Sequence, residues 1–252
     1  MFDLSNRVAL ITGASSGLGW RFAHVLADQG ATVAVAARRI EHLKKLTGEL
    51  EEKGATCFAI PCDVGDEKQI IHMVKAVLER FGKIDILVNN AGISKSAPAT
   101  EISMTDYDAV MDINSRAVFL TARECAKPMI EANYGRIINV SSMYGLVAGK
   151  LFPAVNYHVS KGSVINMTRA LAAEWAKCGV TVNALCPGFF ASEMTEHLLE
   201  EEVFGQYVKN SCCMERLGHS DELDTALVFL AANGSSYITG QAIAVDGGWT
   251  CI

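Results

Sequence analysis

The stretch Thr12-Gly-Ala-Ser-Ser-Gly-Leu-Gly19 decides the fold, because it joins a predicted strand to a predicted helix. The run 7–11 before it is apolar and β-branched, which is typical of a buried strand. A helical pattern follows over about 18–29. A Gly-rich turn that opens the first strand–helix unit of a chain is typical of a dinucleotide site.

The three glycines of this turn each have a predicted role. Gly13 permits the tight turn, Gly17 lets backbone approach a pyrophosphate, and Gly19 lets the helix pack closely on the strand. The positive end of the helix would attract the phosphate charge. The spacing is G-x-x-x-G-x-G, which differs from the commoner G-x-G-x-x-G.

Strand and helix patterns alternate along the rest of the chain. Further strands are predicted at 31–37, 56–61, 84–88, 136–141, 180–185 and 242–246. Further helices are predicted at 40–53, 67–81, 105–118 running on toward 133, 157–178 and 221–232. The alternation predicts an α/β fold, a Rossmann-type doubly wound parallel sheet with helices on both faces. No linker or composition shift divides the chain, so one domain over 1–252 is expected.

Composition excludes several classes of protein. Half of the 252 residues are hydrophobic and 20% are charged, so a large core is expected and disorder is not. The net charge of −6, with no basic block, argues against a nucleic acid or an anionic membrane as partner. Eight scattered Cys and a start without signal-peptide features predict a cytoplasmic protein. No His/Cys/Asp cluster has metal-binding spacing, so no metal is expected.

Further motifs follow the Gly-rich turn in a fixed order. They are Asn89-Asn-Ala-Gly92, Ser142, and Tyr157-His-Val-Ser-Lys161. Tyr157 and Lys161 are four residues apart on a predicted helix and therefore share a face. With these motifs in this order over nearly its whole length, the chain resembles the short-chain dehydrogenase/reductase family.

The resemblance implies a catalytic set of Asn114, Ser142, Tyr157 and Lys161. Tyr157 would be the general acid and base, its pKa lowered by the Lys161 ammonium and by an oxidised nicotinamide. Lys161 would also hold the nicotinamide ribose, and Ser142 would bind the substrate oxygen. Asn114 would interrupt its helix and hold a water that leads protons toward Lys161.

The cofactor expected is NADP(H). Arg38 and Arg39 end the second predicted strand, with Ser15 nearby, where NAD-selective sites often carry a carboxylate. Alternatively the two Arg simply begin a solvated helix, paired with Glu41, and the cofactor is NAD(H). Many NADP-preferring relatives have a basic residue at the position of Ser16, from which this chain departs.

The resemblance extends the cofactor site along the chain. Asp63 would accept from the adenine amino group or, alternatively, cap the next helix. The Asn residues of the Asn89-Asn-Ala-Gly92 motif would also brace the sheet. The candidate cofactor contacts are Gly13, Ser15, Ser16, Gly17, Leu18, Gly19, Arg38, Arg39, Asp63, Val64, Asn90, Ala91, Gly92, Tyr157, Lys161, Pro187, Gly188, Phe190 and Ser192.

The substrate site is expected beneath a loop or lid at about 189–214. Its candidate wall consists of Ser142, Met143, Leu151, Phe152, Phe189, Met194 and Phe204. Leu151 and Phe152 are alternatively just buried residues. This wall suggests a mostly apolar ketone or diketone.

These residues predict an NADPH-dependent reductase that converts a carbonyl to a secondary alcohol. Alternatives are an NAD(H)-dependent alcohol, polyol or steroid dehydrogenase, a 3-oxoacyl-thioester reductase, and a cofactor-binding regulator without turnover. Two positions commonly basic in carrier-protein reductases align with Asn133 and Cys178, which argues against a carrier-bound substrate. The C-terminal segment implies a homotetramer by resemblance.

Overall fold

Seven parallel strands form the centre of the computed structural model, which describes residues 2–190 and 202–252. The strands are β1 (Val8–Thr12), β2 (Thr32–Ala37), β3 (Cys57–Pro61), β4 (Ile86–Asn89), β5 (Gly135–Val140), β6 (Val180–Pro187) and β7 (Ala242–Val245). Their order in the sheet is β3-β2-β1-β4-β5-β6-β7.

Helices connect the strands and cover both faces of the sheet. They are α1 (Gly17–Asp28), α2 (Ile40–Glu52), α3 (Glu67–Phe81), α4 (Met104–Met111), α5 (Ala117–Glu131), α6 (Val155–Trp175), α7 (Glu202–Ser211) and α8 (Asp224–Ala231). In the described part, no helix is both long enough and apolar enough to cross a membrane.

The side-chain alternation of β1 divides the core into two layers. Leu10 packs in the layer that includes α3 and α5, whereas Ile11 packs in the layer that includes α1 and α8. Successive side chains of a strand point to opposite faces, so a strand apolar on both faces must be covered on both. The predicted fold class is therefore confirmed: the chain is one α/β domain with a doubly wound parallel sheet.

The strand order reverses between β1 and β4, which are direct neighbours in the sheet. The connections after these two strands run to opposite sides, so a crevice opens at their carboxyl ends. Ligands of open α/β sheets bind at such a switch point.

The largest departure from the predicted elements lies at 105–133. In place of one continuous helix, α4 and α5 are separated by a π-helical turn over Asp112–Arg116. A π-turn admits one extra residue per turn, which periodicity does not reveal, and it is frequent at functional sites. Of the loop or lid expected at about 189–214, the part over 202–211 forms the helix α7.

Candidate functional site

A cleft of about 960 Å³ runs along the carboxyl ends of the strands. The predicted site residues that line it are Gly13, Ser15, Ser16, Gly17, Leu18, Arg38, Arg39, Asp63, Val64, Asn90, Ala91, Gly92, Ser142, Met143, Phe152, Tyr157, Lys161, Pro187, Gly188, Phe189 and Phe190. Tertiary structure thus brings together residues from the ends of six strands. The cleft has the size and shape for an extended dinucleotide with space beside one end.

The Gly-rich turn is built so closely that larger residues would not fit. Gly13 has φ +67°, a left-handed conformation that favours glycine. A Cβ on Gly19 would stand 2.4 Å from the Gly13 carbonyl oxygen and 2.5 Å from Asn90 Nδ2. Gly19 therefore lies under the turn, where it permits close packing, and does not line the cleft.

The end of β2 presents positive charge to the cleft. Arg39 donates to the Ser15 hydroxyl at 3.2 Å and to the Ser16 hydroxyl at 2.7 Å. Arg38 is exposed, and with the described residues its side chain forms no hydrogen bond or ion pair. Glu41 pairs with Lys44 at 2.8 Å, and no pair between Arg38 and Glu41 is present among the described residues.

Asp63 is not the cap of the helix that follows it. Asp66 has that role, since its side chain accepts from the Lys68 backbone N–H at 2.8 Å. Asp63 accepts only the Gly65 N–H, at 2.9 Å, within the described contacts. Asp63 lines the cleft, and its side chain is not engaged by the terminus of α3.

Asn residues after β4 and in β5 tie the sheet together behind the cleft. Asn89 Nδ2 donates to Asn139 Oδ1 at 2.9 Å, and Asn139 donates to Thr168 at 3.0 Å. Asn90 Nδ2 donates to the Thr12 and Gly13 carbonyls at 3.0 and 3.2 Å. The bracing role expected of this motif is thus visible in the contacts.

Ser142, Tyr157 and Lys161 meet at the other end of the cleft. Ser142 is buried, and its Oγ accepts from the Tyr144 N–H at 3.1 Å. Because that oxygen is already an acceptor, its own proton remains available for another oxygen. Lys161 Nζ donates to the Val140 carbonyl at 2.9 Å and lies 5.6 Å from the centre of the Tyr157 ring.

The pKa of Tyr157 shifts in the direction opposite to the one expected from the sequence. Burial raises the pKa of the Tyr157 phenol, opposed by a weaker effect of the nearby Ser142 hydroxyl. The surrounding protein by itself therefore does not produce the lowered pKa of Tyr157 that the sequence predicted. Burial also lowers the pKa of Lys161 to about 8, since a charged ammonium loses hydration in the interior.

Asn114 lies within the π-turn and is completely buried. Its Oδ1 accepts from the Ile93 N–H at 2.8 Å, and its Nδ2 donates to the Ile93 carbonyl at 2.8 Å and to Ser160 Oγ at 3.1 Å. A Cβ on Gly92 would be 3.3 Å from Asn114 Oδ1 and 3.5 Å from Lys161 Nζ. Asn114 therefore sits behind the cleft, beside the ammonium group, rather than in its lining.

The predicted substrate wall is only partly in place. Met143, Phe152 and Phe189 line the cleft, whereas Leu151 and Phe204 pack behind it, Phe204 being only 1% exposed. Phe204 instead supports Phe189 at a ring-centre distance of 5.0 Å. The apolar pattern of the sequence identified Phe204 as a candidate for the wall. It could not show that another ring, that of Phe189, lies between Phe204 and the cleft. Ser192 and Met194 lie outside the described residues.

Known proteins with similar sequences and structures support one family. Residues 13–250 match the family model described as enoyl-(acyl carrier protein) reductase. Gluconate 5-dehydrogenase of Gluconobacter oxydans is 39% identical over 99% of this chain and 97% of that protein. A 3-oxoacyl-[acyl-carrier-protein] reductase of Rickettsia prowazekii is 38% identical, over 98% of each chain.

The chain belongs to the short-chain dehydrogenase/reductase family. It is thus an oxidoreductase of a family that binds NAD(P). Among solved structures, a gluconate 5-dehydrogenase of Burkholderia cenocepacia in complex with NADP and tartrate has a TM-score of 0.96 and 34% identity. The alignment covers 100% of this chain and 98% of that chain.

Within this oxidoreductase, His158 has a supporting position that the sequence did not reveal. Its Nε2 accepts from the Gly149 N–H at 3.1 Å, and its Nδ1 is 2.8 Å from the Ala154 carbonyl. Its ring stacks on Tyr144, with ring centres 4.6 Å apart. His158 itself does not line the cleft. It nevertheless holds Tyr144, which does line the cleft, and the loop over 145–154.

We expect His158→Ala to raise the KM for substrate by up to about 30-fold, because the loop loses two hydrogen bonds worth about 1 kcal/mol each. NADPH affinity should stay within about 2-fold, because His158 does not line the cleft. Steady-state kinetics and NADPH fluorescence titration measure the two effects. His72→Ala, on the exposed side of α3, is the matched control. An unchanged ketone KM would contradict the supporting role.

Lys161→Met should stabilise the protein without cofactor by about 1–2 kcal/mol at pH 7, although it removes a catalytic candidate. Lowering the pKa from 10.5 to about 8 corresponds to roughly 3 kcal/mol of burial cost, less about 1 kcal/mol for the hydrogen bond to Val140.

The stabilisation expected from Lys161→Met should depend on pH, because the pKa of Lys161 is lowered in the folded protein. A depressed lysine pKa disfavours the folded state fully below pH 8, and the cost disappears as the pH rises from 8 toward 10.5. Denaturant unfolding at pH 7 and pH 9.5 should therefore show the advantage of Lys161→Met shrinking with pH. A variant less stable than the wild type at pH 7 would show that the buried ammonium is not a stability cost.

Proposed function

We propose that the protein is an NADPH-dependent reductase that converts a ketone to a secondary alcohol. One observation supports this most strongly: Ser142, Tyr157 and Lys161 converge at one end of a cleft whose other end carries Arg38 and Arg39. An acid with a hydrogen-bonding partner thus stands at one end, and two cations suited to a phosphate stand at the other.

The residues present fit NADP(H). Gly13, Ser16 and Gly17 line the cleft, so the turn and the α1 N-terminus are placed to meet a pyrophosphate. Arg38 is free among the described residues to meet a 2′-phosphate, with the Ser15 and Ser16 hydroxyls beside it. Asp63 would accept from the adenine, and Lys161 would hold the nicotinamide ribose. When bound, NADPH supplies the hydride.

Tyr157 supplies the proton that accompanies the hydride. With a raised pKa the phenol is protonated at neutral pH, which is the form that reduction requires. Its O–H donates a proton to the substrate oxygen as the carbonyl carbon becomes tetrahedral. Ser142 donates a hydrogen bond to the same oxygen and holds it in line with the phenol.

Lys161 stabilises the phenolate that Tyr157 becomes. Its ammonium lies 5.6 Å from the Tyr157 ring centre, close enough for Coulombic attraction in a buried site. Asn114 Oδ1 has a second lone pair on the side of Gly92 that Lys161 Nζ also faces. We assign Asn114 to a relay through water that returns the proton by way of Lys161.

The same residues run in reverse would oxidise an alcohol, so the physiological direction stays open. NAD(H) and a 3-oxoacyl thioester are the alternative cofactor and substrate, the latter because a relative is named for it. A homotetramer and a cytoplasmic location stay predictions from the sequence.

The decisive test is consumption of NADPH and of NADH in parallel against ketones, β-ketoesters, a β-ketoacyl thioester and keto-sugars. We expect turnover with NADPH on a narrow part of this panel. Equal rates with NADH would remove the cofactor assignment. Tight NADPH binding without turnover of any substrate would favour a cofactor-binding regulator.

A further inference from the structure

Three aromatic side chains form the wall of the cleft beside the reactive end. Phe189 stands at its centre, 5.9 Å from Tyr144 and 6.3 Å from Phe152 between ring centres, nearly perpendicular to both. Phe204 and Trp249 pack behind Phe189 at 5.0 and 5.4 Å. Rings packed edge to face on both sides have little freedom to move, so this wall is apolar and rigid.

The positively charged side chains that line the cleft do not belong to this aromatic wall. Among the described residues that line it, the cations are Arg38, Arg39 and Lys161. The two Arg residues follow β2 at the far end, and Lys161 is 4% exposed and donates to the Val140 carbonyl. Among the described residues that line the cleft, the buried Lys161 is thus the one cation at the reactive end.

We infer that the enzyme takes an uncharged ketone, whose apolar and ring-bearing side lies against Phe189, and discriminates against ketones that carry a carboxylate. This inference rests on the proposed reductase function. A carboxylate placed against Phe152 and Phe189 would lose hydration without gaining a cation in return, whereas a ring would replace water with close packing. The protein would thus differ in substrate charge from the gluconate 5-dehydrogenases to which it is similar.

A matched pair of substrates isolates the effect of charge. Methyl 3-benzoylpropionate and 3-benzoylpropionate share the same ring and ketone and differ in one negative charge two carbons from the carbonyl. We expect kcat/KM with NADPH to favour the ester by at least about 30-fold, which corresponds to about 2 kcal/mol. 5-Ketogluconate should be a poorer substrate than the ester.

Phe152→Arg tests whether the wall sets this preference. A guanidinium at Phe152 would give the carboxylate a partner, so the ester-to-acid ratio should fall by about 10-fold, mainly through faster turnover of the acid. Leu146→Arg adds the same charge at an exposed position of the same loop, outside the cleft lining, and should leave the ratio unchanged. NADPH affinity and thermal unfolding report whether each variant is folded.

The possible outcomes distinguish a failure of this substrate inference from a failure of the proposed reductase function. Equal use of ester and acid, or preference for 5-ketogluconate, would overturn the substrate class while leaving an NADPH-dependent reductase. A misfolded Phe152→Arg variant leaves the wild-type comparison of ester and acid decisive. Reduction of neither ketone by protein that binds NADPH would count against the proposed function itself.

Discussion

Replacing Tyr157 by Phe is expected to lower kcat/KM for ketone reduction by at least about 10³-fold, within the range that a positioned general acid contributes. The ring and its packing are kept, and only the hydroxyl that supplies the proton is lost. Ser142 cannot substitute, because a serine hydroxyl is a far weaker acid than a phenol held near an ammonium. Steady-state kinetics at saturating NADPH measure the loss.

NADPH binding should separate this chemical defect from a structural one. The Tyr157→Phe variant should bind NADPH within about 3-fold of the wild type, since Lys161 and the Gly-rich turn are untouched. Tyr134→Phe is the control: it also removes one phenol hydroxyl, but that hydroxyl donates to Asn233, outside the cleft lining. Activity above about a tenth of the wild type would remove Tyr157 from the acid role.

Arg38→Asp is expected to lower the ratio of kcat/KM for NADPH to that for NADH by about 10²–10³-fold. A carboxylate at this position repels a 2′-phosphate and can instead accept from a ribose 2′-hydroxyl. The loss of a charge-assisted contact and the gain of a repulsion act in the same direction. Arg39 cannot compensate fully, since it is held by the Ser15 and Ser16 hydroxyls.

The control for Arg38→Asp is Lys45→Asp, an equal change of charge at an exposed residue of α2 that does not line the cleft. Initial rates over a range of each cofactor measure the ratio. If Arg38→Asp and Lys45→Asp shifted the ratio equally, Arg38 would be an ordinary surface charge and general electrostatics would explain the cofactor preference.

Parts of the site could be predicted from short stretches of sequence, because residue types and spacing within those stretches determine them. The strand, turn and helix around Gly13 and Gly19 follow from residue types that permit one backbone path. The face shared by Tyr157 and Lys161 follows from helical periodicity. The π-turn at Asn114 was expected only through resemblance, since an i→i+5 hydrogen bond leaves no mark in apolar spacing.

The sequence by itself determined the order of strands and helices along the chain and the doubly wound sheet, because these follow from period and steric freedom within short segments. The candidate reactive residues came from the order of the motifs and the family resemblance that this order carries. Tertiary structure decided which apolar side chains face the cleft: Phe189 lines it and Phe204 supports it from behind. It also decided that His158 holds Tyr144, and that burial moves the pKa of Tyr157 upward. These properties depend on contacts between segments distant along the chain, which local patterns do not specify.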